Sequence, residues 1–158
     1  MPDTHPDAQA LIDSLGLERL QPEGGWYRRV WPPEPADRDA PRGDSSVIHY
    51  LLARDDMSAL HRLDAPETWF HLAGGPVRLV VIGEGGKLTR HRLIPGRSAI
   101  VPAGCWQAAE LGSAQWALMA LTMRPGFHWK GFEMADRAKL VQRWPRHVQL
   151  LDRVCRTA

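Results

Sequence analysis

From Ser45 to Gly126 the chain is cut again and again by turn-forming residues, and no segment between the cuts carries a helical period. The cuts are Arg54-Asp55-Asp56, Gly74-Gly75-Pro76, Gly83-Glu84-Gly85-Gly86, Pro95-Gly96, Pro102-Ala103-Gly104, Gly112-Ser113 and Pro125-Gly126. The pieces they leave are Ser45–Ala53, Met57–Leu63, Glu67–Leu72, Val77–Ile82, Lys87–Leu93, Ser98–Val101, Cys105–Glu110 and Gln115–Met123. Each has strand length, and several alternate apolar with polar residues. No helices intervene between them. The spacing therefore predicts an all-β body, either a sandwich or a closed barrel.

Within that body one stretch concentrates chemistry: His61-Arg62-Leu63-Asp64-Ala65-Pro66-Glu67-Thr68-Trp69-Phe70-His71. Pro66 excludes a continuous helix, because it lacks an N–H and restricts the residue before it. A tight turn at Asp64-Ala65-Pro66 would make a hairpin and set His61 roughly opposite Glu67. Strand alternation sends Glu67, Trp69 and His71 to one face.

Outside the β body, Ala8, Leu11, Ile12 and Leu15 recur at helical spacing, with Thr4 as N-cap and Gly16 as stop. A short helix over 5–15 follows. Pro22-Glu23-Gly24-Gly25 is a turn or bulge feeding a strand from Trp26. Residues 32–44 hold four prolines and six charges, and read as a surface loop or flap. Phe132, Ala135, Leu140, Val141 and Trp144 suggest a helix over about 133–143, with a second over 147–156. The 158 residues suit a single domain, with the β body at about 17–124 and a helical tail at about 133–156.

The balance of 20 Lys and Arg against 18 Asp and Glu implies no nucleic-acid partner. No apolar run of 18 residues exists, so no membrane-spanning segment is expected. Nothing at the N-terminus resembles a signal peptide, and the two cysteines, Cys105 and Cys155, lie in unrelated contexts. A reduced, cytoplasmic location is the simplest expectation.

These motifs resemble the cupin superfamily. His61, Glu67 and Gly74 follow its first motif, with Leu63 where a second histidine belongs. Gly96, Pro102 and Gly104 follow its second motif, with Gln107 in the place of a histidine. Four further segments resemble one branch, cupin-5, catalogued as a domain of unknown function. They are Pro22–Arg28, His61–Asp64, Val101–Ala108, and Arg124–Phe127 with Phe132–Arg137. The resemblance implies a double-stranded β-helix (a jelly roll) and, as such folds often do, a homodimer formed by strand exchange at a sheet edge.

A complete cupin set holds a divalent metal through three histidines and a glutamate. Here His61 and Glu67 remain, Gln107 is a weak neutral donor, and His71 shares a face with Glu67. The competing reading needs no cofactor and makes the barrel a site for a small polar, ring-containing molecule. His61 is then a base oriented by Glu67, Tyr27 an acid, and Glu23 and Gln107 hold polar groups of the ligand. Sugar-nucleotide epimerases of the same fold use a histidine base and a tyrosine acid, and that analogy rests on fold and residue type alone. A ligand-sensing module without catalysis is the third reading. Trp26 and Trp69 are candidate walls for a ring, against ordinary core packing. His49 is either a pocket residue or a packed one. Arg28, Arg29 and Arg62 are able to meet a phosphate or carboxylate, although most arginines occupy solvated faces.

Overall fold

The computed structural model describes residues 4–156. A helix, α1 (Pro6–Leu15), opens it. Its N-cap is His5, whose Nδ1 accepts from the Asp7 amide at 3.2 Å, one residue beyond the expected Thr4. Gly16 closes the helix at φ 62°, as expected of a glycine in the left-handed region. Strands β1 (Glu18–Arg19), β2 (Trp26–Trp31), β3 (Ser46–Ala53), β4 (Met57–Leu63), β5 (Glu67–Gly74), β6 (Val77–Ile82), β7 (Leu88–Leu93), β8 (Ser98–Val101), β9 (Trp106–Glu110), β10 (Trp116–Met123) and β11 (Phe132–Met134) follow. Two helices, α2 (Arg137–Arg143) and α3 (Val148–Val154), finish the chain.

All strand pairs are antiparallel, in a six-stranded sheet β1-β2-β3-β10-β5-β8 and a five-stranded sheet β11-β4-β9-β6-β7. The all-β expectation holds, with helices at both ends. The expected hairpin of β4 and β5 does not form. The two strands belong to opposite sheets, and residues 64–66 are an arch that carries the chain across the interior. Outside partners hold that arch. The Asp64 amide donates to the Gly131 carbonyl at 3.1 Å, and its carboxylate takes a two-pronged bond from Arg42. A three-residue link suits a hairpin and an arch equally, so local sequence could not separate them.

Residues 133–134, expected to open a helix over about 133–143, instead belong to β11, which pairs with β4 and sets Met134 opposite His61. The helix starts at Arg137, capped by the Asp136 carboxylate accepting from the Lys139 amide at 3.2 Å.

Both sheets are covered outside as well as inside. Ala8, Ile12 and Leu17 pack on Leu51, Ala53 and Leu118, while Leu140, Trp144, Leu150, Leu151 and Val154 pack on Leu60, Val80, Ile82, Trp106 and Ala108. That explains the apolar runs Tyr50–Ala53 in β3 and Leu79–Ile82 in β6, because segments buried on two faces need not alternate. Each fully buried aliphatic side chain contributes roughly 1.5–3 kcal/mol. Between the sheets lies the main core, with Tyr50 and Trp69 in an edge-to-face contact at 5.9 Å.

Candidate functional site

One end of this interior is filled and the other is hollow. The hollow is small, about 50 Å³, and is lined by Glu23, Tyr27, Arg29, Glu34, His61 and Glu67 among apolar and aromatic side chains. Leu63, in the place of the second cupin histidine, contributes an apolar wall.

Glu23 reaches the hollow because two glycines follow it. Gly24 and Gly25 have φ of 108° and 78°, a region costly for residues with a Cβ. Space is equally restrictive, since a Cβ on Gly24 would lie 2.3 Å from the Met57 carbonyl and one on Gly25 2.6 Å from the Tyr50 hydroxyl. The turn thereby sits tight on β4, where the Ala59 amide donates to the Glu23 carbonyl at 2.9 Å. The Tyr50 hydroxyl donates to the Gly24 carbonyl at 2.6 Å, and the Ser58 hydroxyl to the Glu23 carboxylate at 2.5 Å.

His61 comes from the middle of β4, opposite Gln107 on β9. Its Nδ1 is 2.8 Å from the Ala59 carbonyl, which can only accept, so Nδ1 carries a proton. Nε2 is left to face Glu23, whose Oε1 lies 3.7 Å away. The ring is stacked on Phe132 at 5.4 Å. The partner of His61 is therefore Glu23 and not Glu67. The pairing expected from a β4–β5 hairpin fails because that hairpin is absent.

Glu67 enters from the first position of β5 in the facing sheet. Burial pushes its carboxyl up to about 8, the nearby Glu23 charge adds to this, and a hydrogen bond from Gln107 opposes it. The Gln107 Oε1 accepts from the Trp69 indole at 2.8 Å, which leaves its amide nitrogen for Glu67. Trp69 thus lies behind Glu67, linked to it through Gln107. Tyr27 stands at the mouth, its hydroxyl 3.2 and 3.3 Å from the two oxygens of Glu34 on the proline-rich loop. Burial and that carboxylate push its phenol up to about 12.

Other residues singled out in the sequence lie elsewhere. Trp26 is adjacent to Tyr27 on β2, so it points outward and packs near α1 with the Arg19 guanidinium 5.0 Å from its ring. His49 is flanked by Ile48 and Tyr50, both directed into the interior, and does not line the hollow. His71 does share a face with Glu67 and Trp69, but it lies beyond Trp69. Its Nε2 donates to the Gly75 carbonyl at 2.6 Å, while Nδ1 is buried without a partner. Ser58, Glu34, Trp129 and Phe132 escaped the sequence reading. Of the three arginines named from the sequence as able to meet a phosphate or carboxylate, Arg29 alone lines the hollow, two positions after Tyr27 and on the same face.

The donors do not make up a cupin metal centre. Leu63 cannot ligate, the oxygen of Gln107 is taken by Trp69, and among the described residues no three His, Cys, Asp or Glu side chains converge to hold an ion.

Two antiparallel sheets closed around an interior, with His61 and Glu67 of the first motif lining a hollow and Gln107 of the second bonded to Glu67 and Trp69, define a cupin. Residues 9–135 match the family described as Cupin superfamily (DUF985), and the chain belongs to it. It is similar to protein SO0799 from Shewanella oneidensis, at 30% identity and TM-score 0.85, over 96% of this chain and 98% of that one. A hypothetical protein from Leishmania major is 24% identical with TM-score 0.83, over 95% and 99% of the two chains. Oxalate decarboxylase from Bacillus subtilis shares the fold at 14% identity and TM-score 0.60, with 87% of this chain matching 37% of the enzyme. No curated protein matches the sequence.

Proposed function

We propose that the hollow binds a small polar molecule and that His61, partnered by Glu23, exchanges a proton with it in the manner of an isomerase. One observation carries the reading: Nδ1 of His61 is committed to the Ala59 carbonyl, so Nε2 faces Glu23 on the cavity wall. An imidazole held in one tautomer beside a carboxylate is the arrangement a general base needs. In this reading Nε2 takes a proton from the ligand and the Glu23 carboxylate stabilises the resulting imidazolium. Glu67, held protonated near neutral pH by a pKa of about 8, supplies a proton to the developing oxyanion. Tyr27 is less suited to be the acid, because its hydroxyl is already given to Glu34.

The hollow is far below the roughly 300 Å³ of an ordinary ligand site. A ring-containing ligand therefore extends out of the hollow into the space beneath residues 32–44. The aromatic group Phe127, Trp129 and Phe132, with centroids 5.0–6.2 Å apart, then offers the wall for a ring.

Native mass spectrometry of untagged protein, followed by proton–deuterium exchange into whatever binds, tests the proposal. Exchange in the wild type that disappears in His61→Gln is expected. Binding without exchange would reduce the protein to a sensing module, and stoichiometric metal lost in that variant would replace the metal-free account. Two further inferences belong here. Free Cys105 and Cys155 support a reducing, cytoplasmic setting. Exposed Phe70, Leu72 and Ile100, on the outer face of edge strand β8 and its neighbour β5, support a homodimer through that edge.

A further inference from the structure

Five of the seventeen arginines pair with a carboxylate. Arg42 has Asp64, Arg62 has Glu133, Arg153 has Glu110, Arg19 has Asp56 and Arg137 has Asp152. Arg29 is different. It lies on the cavity face of β2, its Nε is buried with no hydrogen-bond partner, and none of the ion pairs among the described residues includes it. Three carboxylates share the inner hollow with it: Glu23 takes the Ser58 hydroxyl and faces His61, Glu67 is bonded by Gln107, and Glu34, which also lines the outer chamber, is turned to the Tyr27 hydroxyl.

Arg29 also stands on a partition. Beyond the inner hollow is a second chamber of about 140 Å³ beneath the proline-rich loop, and the two share Arg29, Glu34, Phe127 and Trp129 as lining. A second cation, Arg38, lines the outer chamber with its guanidinium 4.6 Å from the Trp129 ring. A buried guanidinium donor without an acceptor is unfavourable, and the planar fork of arginine matches a carboxylate or phosphate.

We propose that the molecule taken into the barrel carries an oxyanion group, a carboxylate or a phosphate, which docks on Arg29 in the outer chamber while its neutral polar end reaches His61. This deepens the function proposed above and rests on it for the inner contact. The prolines at 32, 33, 35 and 41 give the chamber a stiff roof, so the anion is enclosed rather than left in open solvent. The Glu34–Tyr27 bond keeps the loop's own carboxylate off Arg29 and leaves that cation for the ligand.

Three probes test it on the full chain by titration calorimetry and amide chemical shifts: lactate, inorganic phosphate, and propane-1,2-diol as the neutral counterpart of lactate. Expected is binding of at least one anion but not of the diol, with shifts at Arg29 and residues 32–41. The comparison of lactate with phosphate names the anion. Arg29→Gln should weaken that binding by a factor of roughly ten or more, Arg29→Lys by less, and Arg28→Gln, on the opposite face, not at all. Circular dichroism checks that each variant is folded. Equal affinity in wild type and Arg29→Gln, diol binding as tight as lactate, or shifts confined to other arginines would overturn the proposal. His61→Gln separates the two readings. Loss of exchange with anion binding intact leaves the anchor standing, whereas a co-purifying neutral molecule indifferent to Arg29→Gln removes the anchor and keeps the barrel site.

Discussion

Two histidines are buried in the barrel interior to the same degree, each about 2% exposed, and their surroundings part company. His61 spends Nδ1 on the Ala59 carbonyl and turns Nε2 to a carboxylate and a cavity. His71 spends Nε2 on the Gly75 carbonyl and buries Nδ1 against nothing polar, so desolvation holds its pKa down. One backbone carbonyl fixes a tautomer in either case. What differs is the group facing the second nitrogen, and that decides whether a buried imidazole can trade protons or simply fills space. The boundary between the two ends is Trp69, fully buried and hydrogen-bonded to Gln107.

Removing that boundary should have the largest effect. Trp69→Ala takes out a large buried side chain and leaves the Gln107 oxygen unpaired, so a loss of about 3–5 kcal/mol is expected in chemical denaturation. A cost below about 1 kcal/mol would mean that the two ends are not divided by this residue. Next comes the contrast itself. His61→Gln should abolish proton exchange with a bound ligand, while His71→Gln should leave exchange within severalfold of wild type. Equal losses in both variants would erase the distinction drawn between the two ends.

The fold was largely legible because glycine and proline mark the ends of nearly every strand, and alternation sorted Glu67, Trp69 and His71 correctly to the interior face. The arch was not legible, since Asp64-Ala65-Pro66 is the same length whether the chain turns back or crosses over. The cupin spacing picked out His61, Glu67 and Gln107, and all three are buried in the interior. The contact of Glu23 with His61 was not legible, because it is made by a loop laid on β4 and no local period encodes that. Trp26 and His49 went astray for a simpler reason. Each neighbours a residue that faces the barrel, and on a strand only one of two neighbours can do so.

Glu67 gives a smaller, pH-dependent test of the hollow end. Its folded pKa of about 8 stands above the ordinary 4.5 of a glutamate. Between those values the folded state keeps a proton that the unfolded state has released. The associated stability is therefore fully present below about 4.5 and is lost as pH rises through about 8. The slope cannot exceed about 1.4 kcal/mol per pH unit for one proton. Urea midpoints measured from pH 5 to 8 should fall in the wild type and flatten in Glu67→Gln. An unchanged slope in the variant would show that Glu67 is already ionised in the folded protein.

The smallest effect belongs to a carboxylate three residues away that is shifted the other way. Asp64 sits in the arch, held below the usual carboxylate range chiefly by its hydrogen bonds from Arg42. Its stabilisation is present above the ordinary 3.8 and is lost as pH falls through the lower folded value, the reverse of Glu67. Its side chain is 48% exposed, so solvent screens the pair and the effect on global stability stays within about 1 kcal/mol. The consequence is local instead. Arg42 also donates to the Gly126 carbonyl at 2.6 Å, so the pair ties the end of the proline-rich loop to the base of the barrel. Asp64→Asn should therefore leave the melting temperature nearly unchanged while hydrogen exchange across residues 32–44 quickens severalfold. Unchanged exchange there would mean that the loop is held from its Glu34–Tyr27 end alone.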